Sequence, residues 1–100
     1  MIRKIELTGK FKKHYKKMIS TFNPNDVKIK EDEFQYVIEK LQHDQPLEDK
    51  YCDHKLRGYE RDRIVRECHL DPDWLLIYEK FKNKLLLKLL DTGTHSDLFK

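Results

Sequence analysis

Histidines stand at positions 14, 43, 54, 69 and 95 of this chain, and histidine is the side chain best suited to trade protons near neutral pH. His14 and His43 fall in stretches with helical spacing and read as surface residues. The other three fall where sites form. His54 lies in a polar loop, His69 ends a strand-like segment, and His95 closes Thr92-Gly93-Thr94-His95 after the last apolar run. Asp73 sits in the turn just beyond His69. Such a set suits RNA cleavage. The 2′-hydroxyl must lose a proton as it attacks phosphorus, the leaving 5′-oxygen must gain one, and the extra phosphate charge must be met by a cation. Histidine can serve either transfer, and Asp73 can accept a proton or orient a histidine. No metal or other cofactor is required by this scheme. Scattered structural histidines are the competing reading.

A zinc site is a second chemical possibility, because Cys52-x-His54 and Cys68-His69 supply two thiols and two imidazoles. The spacing argues against it. Neither the usual paired cysteines nor the paired histidines occur, and adjacent residues on a strand point to opposite faces. Cys68 reads better as a small buried residue. With three glycines in all, the chain has no phosphate loop and no dinucleotide fingerprint.

The elements that must position these residues follow from apolar spacing. Ile2, Ile5 and Leu7 mark a short strand over 2–7. Thr8 then caps a helix over 9–20, whose Phe11, Tyr15, Met18 and Ile19 share a face. Asn23-Pro24-Asn25-Asp26 breaks it, with Asp26 as N-cap of a second helix over 27–42. Phe34, Val37, Ile38 and Leu41 form that helix's apolar stripe, and the two helices are expected to form a hairpin. Residues 47–58 read as a loop. Strands are expected over 61–70, 74–78 and 84–90, joined by Asp71-Pro72-Asp73 and Lys82-Asn83, so neighbours should be antiparallel. The expectation is one α+β domain over residues 1–100. Two N-terminal helices pack on a four-stranded, mainly antiparallel sheet, whose other face is free for a site.

Charge is unevenly spread. Residues 1–20 hold seven basic residues against one acid, residues 21–50 four against eight, and residues 51–100 ten against nine. The basic start, with Lys10, Lys12, Lys13, Lys16 and Lys17 on a helix, suits phosphate contact as well as simple solvation. No apolar run approaches the roughly 20 residues of a membrane span. Residues 1–7 lack the apolar core of a secretory signal, and two cysteines make no disulfide framework, so a cytoplasmic protein with no membrane partner is expected.

Three motifs occur in one order: Asp53-His54-x-Leu56-x-Gly58, then Arg66-x-x-His69-x-x-Pro72-Asp73-Trp74-x-Leu76-Ile77-Tyr78, then Thr92-Gly93-Thr94-His95-x-x-Leu98-Phe99. Together they span about half the chain and resemble the YafQ branch of the RelE toxin superfamily. The resemblance implies a fold like that of microbial ribonucleases and a metal-independent endoribonuclease that cuts messenger RNA in the ribosomal decoding site. It also implies a cognate antitoxin as partner, with operator DNA reached mainly through that antitoxin. Carried over by position, His54, His69, Asp73 and His95 share the acid and base work, and Trp74 and Phe99 hold or stack a base. The helical lysines would grip ribosomal RNA. Members of the branch often carry arginine just before Thr-Gly-Thr-His, whereas this chain has Asp91 there. Arg66 is the first choice to supply the missing cation, with Arg57, Lys88 and Arg63 as others. Asp91 also keeps an alternative open: a catalytically weak module that only binds the ribosome or its antitoxin.

Overall fold

Thr8 ends the opening strand and starts the first helix. Its Oγ1 accepts from the Phe11 amide at 2.9 Å, and its hydroxyl donates to the Leu90 carbonyl at 2.8 Å, so one side chain caps the helix and ties it to the last strand. In the computed structural model, which describes residues 2–99, the order is β1 (Lys4–Leu7), α1 (Gly9–Thr21), a 3₁₀ turn (Pro24–Asp26) and α2 (Val27–Gln42). A second 3₁₀ turn (Asp49–Tyr51) leads to β2 (His54–Lys55), β3 (Ile64–Asp71), β4 (Trp74–Lys80), β5 (Leu86–Gly93) and α3 (His95–Leu98). Asp26 occupies the N-cap position of α2 without a side-chain hydrogen bond. The capping falls instead to Asn23, whose Oδ1 accepts from the Asn25 amide at 3.0 Å and closes the 3₁₀ turn.

The sheet has five strands in the order β1-β5-β4-β3-β2. The three hairpin-like pairings are antiparallel, and β1 lies parallel to β5. The four-stranded expectation thus gains the two-residue β2 inside the predicted loop and a parallel edge. One face carries the core: Cys68 and Leu70 of β3, Trp74, Leu76 and Tyr78 of β4, and Leu87 and Leu89 of β5. Phe11 and Met18 of α1 and Val37, Ile38 and Leu41 of α2 pack against them. The helices meet through rings, with Tyr15 and Phe34 at 4.9 Å between centroids. Among the described residues no helix is long and apolar enough to cross a membrane.

Because side chains alternate along a strand, Val65, Glu67 and His69 of β3 face the other way, beside Leu75, Ile77 and Glu79 of β4. This second face is not bare, since Val65 and Leu75 are fully buried. Gly93 pairs with Leu75, which pairs with His69, and a Cβ at Gly93 would lie 3.0 Å from the Cβ of Asp97. The short α3 therefore lies close against the end of β5. Thr94 holds it there in a capping box with Asp97.

Candidate active site

Register brings the loop histidine to the sheet. β2 pairs with β3 so that His54 lies opposite Glu67. Glu67 shares the second face with His69, two residues on, and its side chain is only 6% exposed. Its Oε1 is 3.2 Å from His69 Nε2 and 3.7 Å from His54 Nε2. The neighbouring buried carboxylate on this face, Glu79, is held by Arg63 through two hydrogen bonds, at 2.8 and 3.0 Å. Glu79 thus has a permanent cation, as a structural ion pair does, whereas Glu67 pairs with imidazoles. A buried carboxylate set between two imidazoles makes this cluster the candidate site.

The remaining pieces come from the two chain segments after His69. The Asp71-Pro72-Asp73 turn is closed by Asp71 Oδ1, which accepts from the Asp73 amide at 3.0 Å, and is pinned to α2 by Lys30 Nζ on Asp71 Oδ2 at 2.8 Å. Asp73 Oδ1 then accepts from the backbone N–H of His95 at 3.0 Å and from its Nδ1 at 2.9 Å. The His95 amide, and then its ring, hold the Asp73 carboxyl below the usual aspartate range. The rings of His69 and His95 meet edge to face, 5.4 Å between centroids. His54 and His69 therefore meet at Glu67, and His95 with Asp73 joins them through the His69 ring.

Hydrogen-bond partners also set which ring nitrogen is left open. His54 Nδ1 lies 2.7 Å from the Cys52 carbonyl, which can only accept, so Nδ1 is the donor there and Nε2 faces Glu67. Asp73 likewise takes Nδ1 of His95 as its donor and leaves Nε2 open. His69 donates from Nε2 to Glu67 and presents Nδ1. A groove of about 550 Å³, lined by Cys52, His69, Leu70 and Pro72 among others, opens beside this cluster.

Other expected site residues lie elsewhere. Arg66 is an odd number of residues from His69, so it projects from the opposite face, where its Nε bonds Asp53 at 3.2 Å. It cannot meet a phosphate among the histidines. Trp74 is fully buried, stacks on Phe34 and donates from Nε1 to Thr92 Oγ1 at 2.9 Å, so it has no open face for a base. Replacing Trp74 with Ala should cost about 3–5 kcal/mol of stability, read by thermal or urea unfolding; an unchanged midpoint would contradict the core role. Phe99 is 51% exposed and remains available for stacking. Lys88 is engaged by Glu6 at 3.4 Å. Arg57 is exposed with no partner among the described residues. Lys10, Lys12, Lys13, Lys16 and Lys17 are all exposed on α1.

Asp91 is buried, and its carboxylate is already bound. Oδ1 takes His14 Nδ1 at 2.6 Å and the Thr92 amide at 2.9 Å, and Oδ2 lies 3.5 Å from Lys10 Nζ. It anchors α1 to β5 and is not an unpaired acid confronting a phosphate. His14, expected on the surface, is its main partner.

The four zinc-type residues do not assemble. Cys68 is buried on the helix face, which pushes its thiol up, while His69 points to the other face. Glu67 escaped the sequence reading, although its signal was present: Glu67 and His69 alternate with apolar Cys68 and Leu70, which puts both polar side chains on one face.

The chain is similar to known proteins in sequence and in fold. A family model described as the bacterial toxin of type II toxin–antitoxin system, YafQ, matches residues 3–100. The mRNA interferase toxin YafQ of Escherichia coli K12 is 46% identical over 54 residues, a stretch covering 54% of this chain and 54% of that relative, so the match spans about half its length. In the E. coli DinJ–YafQ toxin–antitoxin complex, the aligned chain is 32% identical, with a TM-score of 0.80 and full coverage of both chains. A metal-bound toxin from Helicobacter pylori is 37% identical, with a TM-score of 0.78, over 99% of this chain and 100% of that one.

Proposed function

The chain belongs to the YafQ family of toxins of type II toxin–antitoxin systems, and from that premise we propose that it is a ribosome-dependent, metal-independent endoribonuclease cutting messenger RNA in the decoding site. The observation that supports this most is the cluster on the second face, where two carboxylates orient three histidines. His95, with Nε2 free, performs one proton transfer, and a histidine of the Glu67 pair performs the other. The 2′-oxygen gives up its proton to one imidazole and bonds to phosphorus. The bond from phosphorus to the 5′-oxygen then breaks, and that oxygen takes a proton from the other imidazole. Both transfers are supplied by side chains, so the scheme needs no metal. The phosphate charge is met by imidazolium and by Arg57, three residues beyond His54, and Phe99, whose amide donates to the His95 carbonyl at 2.8 Å, stacks a base.

Exposed lysines on α1 supply the grip on ribosomal RNA, which should be salt-sensitive and indifferent to sequence. Replacing Lys12, Lys13, Lys16 and Lys17 with Gln should weaken ribosome binding and make its dependence of log K on log salt shallower by about 3, with the fold intact. Unchanged binding and slope would show that these lysines are only solvated. A cognate antitoxin is the expected protein partner, as DinJ is for the E. coli relative, with operator DNA reached through it.

Gly93 makes a further test of the site's architecture. Gly93→Ala would place a methyl 3.0 Å from the Asp97 Cβ, shift α3 and move His95 off Asp73. Cleavage should fall about tenfold with little loss of helix content; full activity would show that α3 tolerates displacement. The function itself is tested with programmed ribosomes, purified protein and mapped RNA ends. Cuts at a fixed position in the decoding-site codon, absent from free RNA and undiminished when the protein has first been stripped with EDTA and dialysed before it meets the ribosomes, are expected. No cuts despite ribosome binding, or cuts lost after stripping and restored by adding a divalent transition metal, would overturn the reading.

A further inference from the structure

Asp53 and His54 are consecutive residues that engage opposite faces of the sheet. The Asp53 carboxylate binds on the helix face, where Oδ1 accepts from Tyr78 Oη at 2.5 Å and Arg66 Nε lies 3.2 and 3.3 Å from its two oxygens. Arg66 and Tyr78 are themselves a register pair, and Tyr78 is fully buried. His54 turns to the second face, opposite Glu67. The strand that carries it is two residues long, too short to fix a side chain by its own ladder. The chain enters it through Cys52, a non-glycine residue at φ 49°, which a merely flexible loop would not favour. Burial, and then Asp53, push the Tyr78 hydroxyl up, so it stays a donor.

We propose that Asp53 is a positioning residue for cleavage: clamped by Tyr78 and Arg66 on the helix face, it sets the angle at which His54 meets Glu67 on the other. The inference rests on the reading of this cluster as a nuclease centre. Arg66 thereby serves the site from the opposite face without touching RNA. Tyr78 holds the clamp without reaching the substrate.

Tyr78→Phe deletes one hydroxyl and keeps the ring in the core, and Asp53→Asn keeps the shape of the clamp without its charge. Both should lower kcat by about 10- to 100-fold with KM little changed, on a fold that still melts cooperatively. In NMR spectra the His54 ring signals should move while those of His95 stay in place. Wild-type kcat in both variants, with unmoved His54 signals, would overturn the proposal. So would equal shifts of all the site histidines with a lowered Tm, because that pattern marks a general structural role. If the wild-type protein fails to cut ribosome-bound RNA, the nuclease reading fails instead, and the His54 signals still report whether the clamp exists.

Discussion

His95→Ala is expected to lower ribosome-coupled cleavage by about 10²–10⁴-fold, the usual worth of a positioned acid or base, and to relieve growth inhibition while antitoxin binding persists. The effect should be large because both sides of this imidazole are committed. Nδ1 is held by Asp73 at 2.9 Å, and the same Asp73 oxygen holds the His95 amide, so Nε2 is the atom left for the RNA. Folding should be spared, because the ring is exposed and α3 is capped by Thr94 and Asp97 rather than by His95. The Asp73 carboxyl lies below its ordinary range. It therefore remains ionised as the pH falls through the usual aspartate pKa near about 4, and the contact with His95 is lost only below that. Retained toxicity in His95→Ala would remove this residue from the reaction.

Glu67→Gln should lower kcat by about 10²-fold through a different route. The carboxylate is buried and faces two imidazoles, at 3.2 and 3.7 Å. The amide keeps the volume and one acceptor but removes the negative charge that the two rings face. Both histidines would lose their electrostatic partner at once, and the variant should remain folded. Glu67→Asp, which retains the charge at a shorter reach, should recover part of the loss. Equal activity in Glu67→Gln and the wild type would make Glu67 a structural residue like Glu79, whose charge Arg63 already neutralises.

The order of the helices and of the long strands was legible in apolar spacing and turn residues, whereas the grouping of His54, His69, Asp73 and His95 came only with the resemblance of the three motifs, since spacing alone left scattered histidines as a competing reading. Long apolar runs and a tight Asp-Pro-Asp turn are strong local signals. What the sequence hid was set by partners far away in the chain. β2 has two residues and no period to detect, and it exists because His54 and Lys55 find Glu67 and Arg66. The parallel edge joins Lys4 to Leu86, a pairing that no turn announces. Trp74 resembled a base platform until Phe22, Phe34 and Thr92 closed around it. Arg66 seemed near His69 by count, but strand alternation sends it to the other face. Asp91 looked hostile to a phosphate until α1 delivered His14 and Lys10 to its oxygens.

If the clustered histidines activate a 2′-hydroxyl of the RNA itself, removing that hydroxyl must stop the reaction. Ribosomes programmed with a message carrying one 2′-deoxy nucleotide on the 5′ side of the mapped cut test this directly. Cutting at that position should disappear while ribosome binding is unchanged. Undiminished cutting there would show that another nucleophile attacks the phosphate, and would contradict the mechanism built on His54, Glu67, His69 and His95.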